Sequence, residues 1–255
     1  MKPSPILIAH RGAMDEAPEN TRAAFEAACR YPVHGFEFDV QLSRDGVPVI
    51  FHDATMRRIN GESRPLGDYD MEDLGRMDWG GWFGPGFRGE PLLTLEDMLR
   101  DHGTRQQLMI EIKSYPGDRE NDRFRRLADH VLRLMEACVP AVHLERHAIL
   151  SFDRELLDYC ARRAPRHRYV LNLEDPPEGG SLSTEFPEYL YGVCAFVGVL
   201  TPGFSAFAHD RGCRVMTYSC NNPSQTEHAL GCGADVLMTD SPKWLTGYWA
   251  DRSKE

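Results

Sequence analysis

Short β-rich apolar runs alternate with amphipathic segments along almost the whole chain, which predicts an α/β architecture. The strand-like runs are Ile6–His10, Gly35–Leu42, Val47–His52, Gln107–Lys113, His147–Phe152, Arg168–Leu173, Ala195–Leu200, Arg214–Cys220 and Asp235–Thr239. Helical periodicity is expected over Asn20–Cys29, Leu95–Asp101, Asp122–Cys138, Arg154–Arg163, Phe204–Arg211, Ser224–Leu230 and Lys243–Trp249. A poorly marked helix falls near Thr184–Tyr191. That is one strand more than a (β/α)8 barrel needs. Only Ser43-Arg44-Asp45-Gly46 separates the second and third runs, and Asp-Gly is a turn signal. Parallel neighbours need a crossover of roughly a dozen residues, so this pair must be an antiparallel hairpin. Eight parallel strands remain, and the expected fold is a (β/α)8 TIM barrel with a β-hairpin arm.

One stretch breaks the rhythm. From Ala54 to Pro91 no strand is evident, and residues 79–91 read WGGWFGPGFRGEP. A long insertion of this kind near the mouth of a barrel is either functional or locally folded. Its aromatic residues Trp79, Trp82, Phe83 and Phe87 fit two expectations equally, a lid wall beside a pocket or a loop pinned to the barrel surface. Nothing marks a domain boundary or an internal repeat, so residues 1–255 are expected to form one domain.

Composition narrows the function classes. Hydrophobic residues make up 42% of the chain and charged ones 27%, enough to bury a sizeable core. A net charge of −10 argues against a nucleic-acid groove, which needs Lys and Arg to neutralise phosphates. It does not exclude a phosphate substrate, because one bound cation reverses the sign of a site locally. The run Ile6-Leu7-Ile8-Ala9 is too short for a signal-peptide core, and no segment approaches a membrane span. The seven cysteines form no CxxC pair, which suggests neither a disulfide framework nor a zinc knuckle. A cytoplasmic protein without a membrane anchor is expected.

Candidate chemistry lies at strand ends. Glu37 and Asp39 sit two apart in a strand, on one face, with Phe36, Phe38 and Val40 on the other. Two such carboxylates repel unless a positive charge lies between them, and a hard cation with oxygen ligands, Mg²⁺ or Ca²⁺, meets that need. The same alternation puts Glu111 and Lys113 on one face. An outward Glu between Ile110 and Ile112 would meet the helix layer, so Glu111 is expected inward, completing a three-carboxylate set, with Lys113 available to a phosphate oxygen. His10 and His52 each end a strand, and two histidines make a complete acid–base set near neutral pH. Arg11 is suited to grip phosphate oxygens, and Gly12 permits a sharp turn. The other histidines, including the His143 and His147 pair, are expected to be structural.

These residues together carry a resemblance. HRG at 10–12, PENT at 18–21, E-F-D at 37–39, S-R-D-G at 43–46, H-D at 52–53 and E-I-K at 111–113 resemble the signature of the glycerophosphodiester phosphodiesterase family, in its order. Weaker likeness continues through residues 93–97, Ser151-Phe152 and Ala234 to Pro242. The resemblance implies His10 and His52 as the acid–base pair. It further implies one divalent cation on Glu37, Asp39 and Glu111, Arg11 and Lys113 at the phosphate, and Glu19 and Asn20 as polar support. Asn20 and Thr21 also read as a helix cap. Where the family shows W-T-V-N, this chain has Tyr218-Ser219-Cys220-Asn221, so Tyr218 is the expected stacking surface for a small polyol.

The implied activity is hydrolysis of a glycerophosphodiester to sn-glycerol 3-phosphate and an alcohol, with a small-molecule substrate and no nucleic-acid partner. Two alternatives use the same scaffold. A lysophospholipid-directed phospholipase D or lyase would need an acyl groove, for which Trp79–Phe87 is the candidate. A non-catalytic glycerophosphoryl-binding barrel would be expected to lack a histidine or a carboxylate that is present here.

Overall fold

A computed structural model describes residues 4–115, 122–174 and 186–252. The strands are β1 (Ile6–His10), β2 (Gly35–Leu42), β3 (Pro48–Ile50), β4 (Gln107–Ile112), β5 (Ala148–Ser151), β6 (Arg168–Leu173), β7 (Leu190–Phe196), β8 (Arg214–Tyr218) and β9 (Val236–Thr239). All but β3 are joined in parallel, and β1 pairs with both β9 and β2, which closes an eight-stranded barrel. The ninth strand is the expected arm: β3 runs antiparallel to the end of β2, from Val40–Ile50 to Leu42–Pro48.

The helices are α1 (Arg22–Ala28), α2 (Arg57–Asn60), α3 (Met71–Leu74), α4 (Leu95–His102), α5 (Arg123–Cys138), α6 (Ala141–Leu144), α7 (Arg154–Arg163), α8 (Pro202–His209), α9 (Pro223–Cys232) and α10 (Pro242–Arg252). Polar caps start several of them. Thr21, Thr94, Asp153, Thr201 and Asn222 each accept a hydrogen bond from a backbone N–H of the first turn. No helix of the described residues is long and apolar enough to cross a membrane.

Two expectations need correcting. The seventh strand, sixth of the parallel ones, spans Leu190–Phe196 rather than Ala195–Leu200, and Val197–Val199 form a 3₁₀ turn instead. The helix anticipated near Thr184–Tyr191 begins outside the described residues. Beyond them, residues 186–189 form a loop and Leu190 and Tyr191 already belong to β7. The apolar run Ala-Phe-Val-Gly-Val-Leu reads as a strand from residue content alone, but pairing with β6 and β8 selects the segment before it.

Burial sorts into three cores. Outward strand residues such as Leu7, Ala9, Phe36, Phe38, Ile110 and Ile112 pack against the helix layer. Ile8, Met109, Leu150, Val170, Cys194, Met216, Val236 and Met238 fill the barrel interior. Val49, Phe51, Met56, Ile59, Leu66, Tyr69, Leu74, Trp79 and Leu92 make a third core. The insertion of residues 54–91 is therefore locally folded. Trp79 donates its indole N–H to Leu74 O at 2.9 Å, and Asp78 accepts backbone N–H groups from Gly80, Gly81 and Gly89 at 2.9–3.0 Å.

The histidines at the opposite end of the barrel are structural. His34 Nδ1 accepts the backbone N–H of Leu7, and buried His147 Nδ1 accepts that of Leu108, each at 3.0 Å. All seven cysteines are free thiols and five are buried, as small apolar groups in the packing.

Close strand approach at Gly35 supplies a test of this packing. A Cβ there would lie 1.8 Å from Gln107 O on the paired strand β4. Gly35→Ala is expected to destabilise the protein by about 3 kcal/mol, at the upper end for overpacking because the obstacle is backbone. Urea unfolding of the two proteins measures this, and equal midpoints would show that the barrel adjusts at no cost.

Candidate functional site

Strand alternation carries chemistry to one end of the barrel. Ile8, Met109, Val170 and Met216 occupy the interior, and the inward residues two further along are His10, Glu111, Asn172 and Tyr218. With Glu37 and Asp39 of β2, these side chains cluster at the C-terminal ends of the strands, where barrel enzymes build their sites. His10, Arg11, Glu37, His52, Glu111, Lys113 and Tyr218 line one cavity there, of about 380 Å³ including its mouth. Phe152 and Asn172 complete its wall.

The backbone around the first strand end is unusual. Arg11 has φ 54° and Asn20 φ 59°, both in the left-handed region that costs a non-glycine residue roughly 1–2 kcal/mol. Each is tied down, since Arg11 N–H donates to Glu37 O at 2.8 Å and Asn20 N–H donates to Arg11 O at 3.0 Å. Gly12 follows at φ 90°, where a Cβ would lie 2.6 Å from that of Ala24. The HRG segment can thus pack against α1 only with glycine at its third place.

Glu37, Asp39 and Glu111 are buried, and one oxygen of each lies within 4.8 Å of the others. Lys113 Nζ reaches Asp39 Oδ1 at 3.0 Å and Glu111 Oε1 at 2.6 Å. Arg11 Nε lies 3.1 Å from Asp39 Oδ2, which also accepts a hydrogen bond from Asn20 Nδ2 at 2.9 Å. Burial opposes the charge on Asp39, but Lys113 and Arg11 outweigh it and hold its carboxyl far below the usual range. Glu37 stands in the opposite situation. Burial, with Asp39 and Glu111 adding to it, pushes its carboxyl well above the usual value. Its Oε2 is buried without a hydrogen-bond partner among the described residues, 3.6 Å from His10 Nε2.

Each site histidine is held by a carboxylate. His10 Nδ1 lies 2.6 Å from Asp240 Oδ1, and His52 Nδ1 lies 2.7 Å from Asp53 Oδ1. The hydrogen bond from His10 overcomes the effect of burial and lowers the Asp240 carboxyl; Arg58 and His52 do the same for Asp53. An ionised carboxylate only accepts, so both imidazoles carry their proton on Nδ1, leaving Nε2 as the basic nitrogen. Tyr218 stacks over His10 with centroids 5.9 Å apart, and burial pushes its phenol up to about 12.

All of the sequence-selected side chains fall at this end of the barrel, although Glu19, Asn20 and Asp39 do not line the cavity. Glu19 accepts from Arg11 at 3.1 Å. Asn20 carries the Asp39 hydrogen bond, while the helix cap itself belongs to Thr21. Sequence reading missed Asn172, whose Nδ2 donates to Glu111 Oε2 at 2.9 Å. It missed Tyr115, which donates to His52 O at 2.6 Å, and Asn221, which donates to Asp240 Oδ2 at 2.6 Å. Asp53 and Asp240 were visible as motif letters, but no spacing rule pairs them with their histidines. None of Trp79, Trp82, Phe83 and Phe87 lines the cavity.

The glycerophosphoryl diester phosphodiesterase family model matches residues 10–244. A glycerophosphodiester phosphodiesterase of Caldanaerobacter subterraneus subsp. tengcongensis is 30% identical over 249 residues, covering 94% of this chain and 96% of that protein. A Bacillus subtilis relative is 42% identical over 110 residues, a stretch that makes up 43% of this chain and 45% of the relative. Among solved structures, an Oleispira antarctica phosphodiesterase in complex with the product sn-glycerol-3-phosphate superposes with a TM-score of 0.84 at 23% identity, over 96% of this chain and 97% of its own. That likeness shows the shared barrel. The family match spans both histidines and all three carboxylates, so the chain belongs to the glycerophosphoryl diester phosphodiesterase family of enzymes.

Proposed function

We propose that this chain, as one catalytic domain, hydrolyses glycerophosphodiesters to sn-glycerol 3-phosphate and an alcohol. The observation that carries this reading is the pairing of two carboxylate-held imidazoles, His10 and His52, in one cavity lined by Glu37 and Glu111, with Asp39 buried beside them. One Nε2, unprotonated, takes the proton of the attacking hydroxyl or water, and the other, on a ring that enters as imidazolium, supplies its proton to the leaving oxygen. Arg11 and Lys113 face the same cavity and offer donors to the phosphoryl oxygens, where charge develops in the transition state. Glu19 orients Arg11 and Asn20 orients Asp39. Tyr218 supplies an aromatic wall for the glycerol.

The charge balance fits one divalent cation. Three carboxylates face two cationic side chains, and Glu37, whose carboxyl is raised and whose buried Oε2 has no hydrogen-bond partner among the described residues, is the one left without a matching positive charge. Glu37, Asp39 and Glu111 would hold an ion such as Mg²⁺ or Ca²⁺, their oxygen donors suiting a hard cation. When bound, it adds positive charge beside the phosphate. Trp79 is buried in the insertion core and none of Trp79, Trp82, Phe83 and Phe87 lines the cavity, which favours this reading over a lysophospholipid substrate.

Glycerol 3-phosphate release from glycerophosphocholine and glycerophosphoethanolamine, with Mg²⁺, with Ca²⁺ and with chelator, tests the reaction. Cation-dependent release is expected, with lysophosphatidylcholine a poor substrate. His10→Ala and His52→Ala should each lower kcat about 10²–10⁴-fold while thermal unfolding stays close to wild type. Substantial activity in either variant would remove that histidine from the proton-transfer role.

A second test follows from Glu37. Its carboxyl is raised in the fold, so the stability it contributes is complete below the unfolded value near 4.5 and declines as pH rises through the folded value. In chelator, Glu37→Gln should therefore melt higher than wild type by a margin that grows above about pH 4.5. Saturating Mg²⁺ or Ca²⁺ should shrink or reverse that margin by stabilising wild type. A margin independent of both pH and cation would refute the uncompensated charge.

A further inference from the structure

Arg58 lies outside the cavity lining, in the short helix α2 of the insertion. Its neighbours Met56 and Ile59 are buried in the insertion core and anchor that turn, while the Arg58 side chain extends toward the barrel mouth. There it meets two carboxylates at once. Its NH1 and NH2 donate to the two oxygens of Glu19 at 2.7 and 2.8 Å. Its Nε and NH2 donate to the two oxygens of Asp53, both at 2.9 Å. The guanidinium also lies 5.5 Å from the Trp82 ring centroid.

Both carboxylates hold a site residue with an oxygen that Arg58 also grips. Asp53 Oδ1 accepts from His52 Nδ1 at 2.7 Å, and Glu19 Oε1 accepts from Arg11 NH1 at 3.1 Å. The chain of contacts thus runs from His52 through Asp53 and Arg58 to Glu19 and Arg11. His10 is held separately, by Asp240, which Asn221 and Ser219 steady with hydrogen bonds. Oxygen and nitrogen atoms of Glu19, His52 and Asp53 lie within 4.8 Å of one another, a spacing that would otherwise suit a metal ion. The guanidinium already meets the charge of that group.

We propose that Arg58 is a positioning residue of this reaction: it aligns the His52 imidazole and the Arg11 guanidinium through Asp53 and Glu19, without touching substrate. This rests on the hydrolytic reading of the site given above. The geometry calls for a planar fork with donors on three nitrogens, which lysine cannot reproduce. Arg58 is partly exposed, so its ion pairs add little to global stability. Its loss is expected to be felt in alignment instead, where a shift of about 1 Å can cost on the order of 100-fold in rate.

Arg58→Lys and Arg58→Met, with Asp53→Asn as a second probe of the same contact, test this in the full-length protein. Two readouts are combined: steady-state turnover of glycerophosphocholine, and long-range ¹H–¹⁵N NMR of the histidine rings, with His10 and His52 assigned by single substitution. In wild type both rings, in their neutral form, should show the Nδ1–H tautomer. In all three variants His52 should become a tautomer mixture while His10 keeps its pattern. Both Arg58 variants should lose kcat tenfold or more, lysine no better than methionine, with KM also raised through Arg11. An unchanged His52 pattern in the Arg58 variants would overturn the proposal. So would matching changes at His10 and His52, or full activity in Arg58→Lys. If wild type turned over no glycerophosphodiester, the hydrolytic reading would fall, and the NMR comparison would still decide whether Arg58 aligns His52.

Discussion

Closure of the β1–β2 seam is the constraint on which the rest depends. In an open sheet, β1 and β2 would each leave backbone N–H and C=O groups unpaired along one edge; closed on each other, with β1 also paired to β9, every strand has one side on the axis and one under the helices. The period of two then leaves each inward position a choice by height alone. Low in the barrel the axis is dry and filled by Ile8, Met109, Val170 and Met216. One pleat higher it opens, and His10, Glu111, Asn172 and Tyr218 take over. The hydrophobic floor and the reactive rim are successive positions on the same strands, so packing of the first sets the placement of the second.

That coupling explains why the first half of the chain was legible from its sequence. Gly35–Leu42 alternates without interruption, and a charge at Glu37 or Asp39 would be intolerable on the outward face beside Phe36 and Phe38. The assignment of inward and outward faces therefore needed no structure. The Asp-Gly turn gave the arm for the same reason, since so short a connection permits only an antiparallel return. β7 was less legible. Its inward and outward faces are both apolar, Gly192 weakens the pattern, and the following Ala-Phe-Val-Gly-Val-Leu run imitates a strand. Only the registers with β6 and β8 distinguish the two.

The supporting residues were hidden for a different reason. Asp53, Asp240, Asn172 and Tyr115 each reach their site partner through one hydrogen bond between segments far apart in the chain, apart from the adjacent His52–Asp53 pair. Such bonds leave no periodic trace. Arg58 was the least visible, because an arginine in an insertion reads as ordinary solvated charge. Electrostatics at the rim follows the same division. Asp39 is surrounded by donors and is strongly acidic, whereas Glu37, two residues earlier, has neighbours of its own sign. Two chemically similar carboxylates are thereby given unlike properties by position alone.

The insertion carries its own core, built around Phe51, Met56, Leu66 and Trp79, which is distinct from the barrel interior and from the helix layer. Regions with separate packing open on separate free-energy scales, from near zero up to global unfolding. If Arg58 aligns the rim as inferred, catalytic competence depends on that small subdomain as well as on the barrel. The molecule then has two thresholds under heat or denaturant, one for being folded and a lower one for being active. A variant that loosens the insertion would leave an intact, inert barrel, and a spectroscopic melt dominated by the barrel would report it as healthy.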